Sequence, residues 1–292
     1  MSSQDLEHRR ADVVLFTTTD AQGGRSAELA RLLASVAAAR READLAIVHY
    51  LLVQRGAPAA LGVELPSFVR VRSVDGRVSL SHARNLLLTE ALGGGVLEGS
   101  LFIAFPDDDA WYPYGLLAGV AARFRSDHRL DVIASRYAST PMRLEDLAAD
   151  RWVDRPSIGA FIAAVSSNSM FVRTERAASV GLFDERLGLG AKLNGGEDLD
   201  YALRALTESR GHAGLINAAV VGHRDREPWV RGRYFAGSLA AILRSVVRRP
   251  SFALHGCRKL AVGVYLVLRG ELTPAGYLRG VRHAMAALSA RG

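Results

Sequence analysis

Three consecutive aspartates, Asp107, Asp108 and Asp109, follow a short apolar run, Leu101 to Phe105, in a chain of 292 residues. If that run is a buried strand, side chains alternate between its faces. Asp107 and Asp109 then point one way and Asp108 the other. Two carboxylates facing together repel unless a cation or a proton lies between them. Oxygen ligands favour Mg²⁺ or Mn²⁺, ions that hold diphosphates, and the C-terminal edge of an α/β sheet is where such ligands bind. A solvated acidic turn is the plain alternative. The apolar run before the triplet and Ala110-Trp111-Tyr112-Pro113 after it weigh against that alternative.

Three further places carry chemistry. In Gly195-Gly196-Glu197-Asp198 a glycine loop sets two acids at a helix start. The helix N-terminus stabilises negative charge there, so at least one acid stays ionised and can accept a proton. Acids in a first helical turn are also ordinary helix-starting residues. His82-Ala83-Arg84-Asn85 opens another helix. Arg84 could grip phosphate through its planar fork at a helix end that welcomes phosphate; a surface arginine is the alternative. His223 closes the run Val220-Val221-Gly222. A neutral imidazole there is a good metal ligand, or else a hydrogen-bonded structural histidine.

The elements that position these residues read as alternating strands and helices. Val13 to Phe16 is a buried strand leading into Thr17-Thr18-Thr19-Asp20, and Leu29, Leu32, Leu33 and Val36 recur at helical spacing. Leu45 to Val53 and Phe68 to Val71 read as strands, so the chain opens as β-α-β, the mark of a parallel sheet covered by helices. Ser81 to Leu92 reads as a helix closed by Gly93-Gly94-Gly95, Pro113 to Phe124 as another, and Val132 to Ser135 and Ser169 to Arg173 as strands. Thr140 to Gly159 shows no period and reads as an irregular insertion on the acceptor side. Leu199, Ala202, Leu203 and Leu206 give a helical stripe, and Leu215 to Val221 a last strand. Beyond Pro228 the reading is helix only: Trp229 to Val247, Phe252 to Leu268 and Pro274 to Ala290.

Composition places the charge. The chain has a formal charge of +7, but residues 224–292 hold 13 Lys and Arg against 3 Asp and Glu, so the remainder is slightly acidic. A local basic segment suits an anionic surface. The segment lacks an aromatic stacking surface, so nucleic acid is not an expected partner. The one cysteine, Cys257, excludes an internal disulfide and a cysteine-based metal centre. No continuous apolar run reaches the roughly 18–20 residues that span a bilayer, and Met1 to Asp12 is polar and mixed in charge. The expected setting is cytoplasmic, with peripheral attachment to the inner face of the cell membrane through basic helices as a candidate. Soluble packing of those helices on the rest of the protein is the alternative.

Taken in order, these pieces resemble the family 2 glycosyltransferases. Ser81-His82-Ala83-Arg84-Asn85, Phe105-Pro106-Asp107-Asp108-Asp109, Gly181-Leu182-Phe183-Asp184-Glu185, Gly196-Glu197-Asp198-Leu199-Asp200 and His223 look like that family's motifs, spread over residues 12–225. The resemblance implies a GT-A type, Rossmann-like α/β/α sandwich with a mainly parallel central sheet. It divides the chain into a catalytic domain, 1–225, and a basic helical C-terminal extension, 226–292. It implies inverting transfer of a sugar from a nucleotide-diphosphate donor to an acceptor hydroxyl, with a lipid-linked acceptor as a candidate. Asp107, Asp109 and His223 would hold Mn²⁺ or Mg²⁺, Asp198 would be the base with Glu197 as its substitute, and Thr17, Asp20, Gln54, Arg84, Asp107 and Asp108 would face the nucleotide. The loop after the second strand reads Val53-Gln54-Arg55-Gly56 where the family usually offers an acid. Gln54 can still meet a uracil or thymine edge, so a UDP- or dTDP-sugar is expected before a GDP-sugar. A sugar-phosphate nucleotidyltransferase is the competing enzyme, though Thr17 to Gln22 lacks its phosphate loop. A non-catalytic sugar-nucleotide-binding scaffold is the competing non-enzyme.

Overall fold

The computed structural model describes residues 11–207, 211–225 and 230–289. Eight strands form one sheet: β1 (Val13–Asp20), β2 (Ile47–Gln54), β3 (Val69–Val74), β4 (Phe102–Ala104), β5 (Leu130–Ala138), β6 (Trp152–Asp154), β7 (Met170–Arg173) and β8 (His212–Gly222). Their spatial order is β3-β2-β1-β4-β7-β5-β8-β6. β1, β2, β3 and β4 pair in parallel, as do β5 and β8. β7 runs antiparallel between β4 and β5, and β6 runs antiparallel along β8 at the edge.

Both faces of the sheet are covered, which is why its strands read as continuous apolar runs rather than alternating ones. Neighbouring residues of one strand enter different cores. Val13 and Leu15 pack with α1 (Ser26–Ala43) and α3 (Leu116–Ser126), through Leu29, Leu33, Leu117 and Phe124. Val14 and Phe16 pack on the opposite side with α2 (Leu80–Gly93) and α6 (Glu197–Thr207), through Leu87, Leu88, Tyr201 and Leu203. The result is an α/β/α sandwich of mixed but mostly parallel sheet. Ser79 caps α2 by accepting a hydrogen bond from the His82 amide at 3.3 Å, satisfying one of the helix's free N–H groups.

The stretch 140–159, expected to be irregular, holds two single 3₁₀ turns and the edge strand β6. Three residues are too few to show a period, so the strand is defined by its pairing of Trp152 with Ile216. Two short helices also escape periodicity: α4 (Ile158–Ala164), capped by Ser157, and α5 (Thr174–Val180).

From residue 230 the described chain is helical. The start of the helix expected from Trp229 and the end expected at Ala290 lie outside the described residues. A single turn, α7 (Val230–Arg233), precedes α8 (Phe235–Arg248), α9 (Ala253–Leu268) and α10 (Pro274–Ser289). α8 belongs to the body of the protein. Ala241 and Ile242 join the core beneath α6, while Leu239 and Phe235 pack with Leu187 and Leu193. The two glycines before α6 make this approach possible. Gly195 and Gly196 have φ of +70° and +83°, and a Cβ on Gly237 would lie 1.9 Å from the Gly195 carbonyl oxygen. Backbone here meets backbone, a distance only glycine permits.

Candidate active site

β4 stops at Ala104, so the aspartates do not lie on a strand. Phe105 and Pro106 carry the chain into a turn closed by the Ala110 amide donating to the Asp107 carbonyl at 3.1 Å. Strand alternation therefore does not aim the three side chains; the turn does, and it sends each to a different partner. The turn rests on an aromatic block. Phe105 stacks on Phe16 and meets Phe183 and Tyr201 edge-on, at centroid distances of 5.5, 4.9 and 5.4 Å. Each such pair adds about 1 kcal/mol beyond its buried area.

Asp107 faces the mouth of α6. Its backbone amide donates to Asn168 Oδ1 at 2.6 Å, and Asn168 Nδ2 donates back to Asp107 Oδ2 at 2.9 Å. Asp108 turns towards β1, where the Thr19 hydroxyl donates to it at 2.8 Å and Arg25 at 2.7 Å. Asp109 faces the end of β8. Trp111 and Gly222 exchange two backbone hydrogen bonds of 2.9 Å, and this bridge brings His223 beside Asp109.

Asp107, Asp109 and His223 each offer one ligand atom, and these atoms lie within 4.8 Å of one another. His223 Nε2 is 3.0 Å from Asp109 Oδ1 and 3.9 Å from Asp107 Oδ2. His223 Nδ1 lies 2.8 Å from the Arg224 carbonyl oxygen. A carbonyl only accepts, so Nδ1 carries a proton and Nε2 turns to the carboxylates. Asp109 Oδ1 is buried beside His223 Nε2, which can donate to it only when the imidazole is protonated. A cation among these three groups would complete that oxygen and meet the lone pair of neutral Nε2. The oxygen and imidazole donor set fits Mn²⁺ or Mg²⁺.

Cations of the protein surround the same acids. Arg224 Nε lies 3.0 Å from Asp109 Oδ2, and Arg25 reaches the same oxygen at 3.7 Å. Burial acts to raise the Asp109 carboxyl, but His223, Arg224 and Arg25 outweigh it and leave it lowered. At Asp108 burial prevails over Arg25 and Thr19, and the carboxyl is raised.

The two acids at the start of α6 occupy different surroundings. Asp198 is half-buried; its carboxylate accepts from the Ser167 amide at 3.1 Å and the Leu199 amide at 2.7 Å. Glu197 is buried, with Oε2 unpartnered. Desolvation, reinforced by the charge of Asp198, pushes its carboxyl up to about 7 against the opposing pull of Arg84. Asp198 is thus the more accessible of the two acids. Tyr234, just before α8, lines this corner, since a Cβ on Gly195 would lie 2.6 Å from its ring.

The expected nucleotide contacts separate into two groups. Arg84, expected on phosphate, is buried with only 2% of its side chain exposed. Its guanidinium lies 3.1 Å from Asp107 and 3.7 Å from Glu197, over the rings of Phe105 and Phe183. It joins the two acidic groups from beneath. Thr17 is likewise buried: its hydroxyl donates to the Pro106 carbonyl and accepts from His49 Nε2. It braces the aspartate turn. Asp20 and Gln54 stay at the sheet edge. Arg55 binds both Asp20 oxygens, and Gln54 Oε1 accepts from the Val78 amide at 2.8 Å. The sequence reading missed Asn168, Ser167, Arg25, Arg224 and Tyr234. Asn168 and Ser167 lie in Ser166-Ser167-Asn168-Ser169, a polar run before an apolar strand, which is the one signal that could have drawn attention to them.

The sheet order, the acids at its C-terminal edge and the helix-borne acids opposite them define the GT-A type of fold. No protein-family model and no curated protein matches the chain. Solved structures do. S. aureus TarS 1–349 in complex with UDP-GlcNAc superposes with a TM-score of 0.59 at 14% identity, over 95% of this chain and 81% of that one. The mannosyltransferase PcManGT of Pyrobaculum calidifontis, in complex with GDP-Man and Mn²⁺, gives 0.54 at 13% identity, over 97% of this chain and 87% of that one. A longer S. aureus TarS chain gives 0.53 at 15% identity; this chain covers 40% of it. At these identities the likeness is one of fold.

Proposed function

We propose that this protein transfers a sugar from a nucleotide-diphosphate donor to an acceptor hydroxyl in one inverting displacement. The observation that carries the proposal is the Asp107, Asp109 and His223 triangle, joined through the single arginine Arg84 to Glu197, the chain neighbour of Asp198. The chemistry needs two things at this distance scale: positive charge where a diphosphate leaves, and a base on the acceptor side. A divalent ion held by Asp107, Asp109 and His223 supplies the first. Arg25 and Arg224 add positive charge to the same place. Asp198 accepts the proton of the attacking hydroxyl, held in orientation by the amides of Ser167 and Leu199. Arg84 and Glu197 position this acid pair from below. The GT-A type of fold, shared with structures that bind UDP-GlcNAc and GDP-Man, supports the same donor class. The nucleobase is proposed to lie against Gln54 and the Asp20–Arg55 pair, with UDP or dTDP preferred.

A donor-hydrolysis assay over UDP-, dTDP- and GDP-sugars, with Mn²⁺ or EDTA, tests the reading. Turnover of one donor class in Mn²⁺, lost in EDTA and in Asp198→Asn when acceptor is supplied, is the expected result. Tight donor binding with no turnover on any acceptor would replace the enzyme with a sugar-nucleotide-binding scaffold.

A further inference from the structure

α9 wears its apolar residues outward. Leu254, Ala261, Val264, Tyr265 and Leu268 recur at helical spacing, and all are exposed, Leu254 at 75% and Leu268 at 81%. The opposite face holds the helix down. A Cβ on Gly263 would lie 2.5 Å from the rings of Phe235 and Tyr277, and Leu266 is 1% exposed. Pro250–Leu268 is long and apolar enough to cross a bilayer by length and composition, although His255, Arg258 and Lys259 interrupt its apolar run. A core helix of that composition would be buried, but only 22% of this stretch is. Pinned lengthwise on α8 and α10, α9 is placed to lie along a surface and not to cross one.

The charge around this face says which surface. Residues 230–289 contain ten Lys and Arg and one Glu. Arg258 and Arg269 stand on α9 or at its end, and Arg279 and Arg282 on neighbouring α10, all exposed. Leu278 and Met285 extend the apolar area onto α10 at 56% and 57% exposure. A second copy docking here face to face would set Arg258, Arg269, Arg279 and Arg282 against their own counterparts, which repel. An apolar stripe rimmed with arginine instead matches a bilayer with anionic headgroups, where the stripe enters the acyl boundary and the arginines meet phosphate.

We propose that α9 and the adjoining face of α10 dock this protein on an anionic lipid surface. Cys257 is exposed on α9 and is the chain's one cysteine, so it takes a single environment-sensitive fluorophore in the full-length protein. With vesicles of phosphatidylglycerol and phosphatidylcholine the probe is expected to brighten several-fold and shift to the blue. Pure phosphatidylcholine should produce less than a tenth of that binding, and 0.5 M salt should weaken it. In the unlabelled chain, Leu254→Glu with Leu268→Glu should cut flotation with anionic vesicles more than tenfold while leaving the melting curve in place. No response to anionic vesicles, or equal flotation of the double variant, overturns the proposal. A probe response that rises with protein concentration in the absence of lipid also overturns it, in favour of self-association.

Discussion

Two arginine–carboxylate clusters meet the first turn of α6, one through Glu197 and one through Asp200, and they differ in how completely they are satisfied. Away from the aspartate turn, Arg204 and Arg244 bind Asp200 at 2.9 and 3.3 Å, Arg244 also binds Asp184, and Arg186 closes on Asp184 from its own loop. All four carboxylate oxygens are engaged, and Arg204 spends its other donors on the carbonyls of Val180 and Leu182. At the start of the helix, Glu197 Oε2 is buried with no hydrogen bond, Arg84 Nη1 reaches Glu197 only at 3.7 Å, and Asp109 Oδ1 meets His223 Nε2 at 3.0 Å, which donates only when the imidazole is protonated. Buried polar groups are costly when unfinished, and the fold tolerates three of them in one place. The satisfied cluster ties α8 to α6 and to the loop carrying Asp184. The other holds the groups proposed to meet a cation, a donor and an acceptor.

The comparison can be broken at several strengths. The largest expected effect is on rate: Asp198→Asn should lower transfer by about 10²–10⁴-fold with an unchanged melting temperature. A loss of stability instead would return Asp198 to the scaffold. Arg244→Leu should do the reverse. Leaving the nearly buried Asp200 and Asp184 short of a partner should cost about 3 kcal/mol in chemical denaturation, with residual activity in proportion to folded protein. Gly237→Ala probes the joint between the two clusters. A Cβ there strikes the Gly195 carbonyl, so the variant should lose about 2 kcal/mol of stability and also activity, because the loop carrying Glu197 and Asp198 moves.

The smallest effect is a pH slope. The folded-state pKa of Glu197 is raised from 4.5 to about 7, so between those values the folded protein holds a proton that the unfolded chain has released. Stability therefore falls as pH rises through this window. Glu197→Gln should flatten that fall, measured as the melting midpoint from about pH 4.5 to 8. An unchanged slope would mean that Arg84 fully compensates the charge.

The sequence made the frame legible because both faces of the sheet are covered, so Val13 to Phe16 and Leu45 to Val53 stand out as unbroken apolar runs. The acids were legible as types at helix and strand ends. Their directions were not. Asp108 parts from its neighbours through a turn, and Arg84 and Thr17 face inward because of Phe105, Phe183 and His49, which are distant in sequence and near in space. Asn168 and Ser167 carry no periodic pattern, only a polar run before β7, since a single 3₁₀ turn has no period to read. The C-terminal helices were readable as basic and amphipathic, but which face each would bury depended on α8 seating against Gly195 and Gly196.

The central claim is that Asp107, Asp109 and His223 bind a divalent ion together with a nucleotide diphosphate. Thermal melting of the wild type and of Asp109→Asn with UDP, dTDP or GDP, each with and without Mn²⁺, tests it directly. At a hundredfold excess over Kd, ligand linkage is worth about 2.7 kcal/mol. The account predicts a rise of several degrees with one nucleotide in the wild type, only when Mn²⁺ is present, and none in the variant. Equal stabilisation with and without Mn²⁺, or in both proteins, would contradict it.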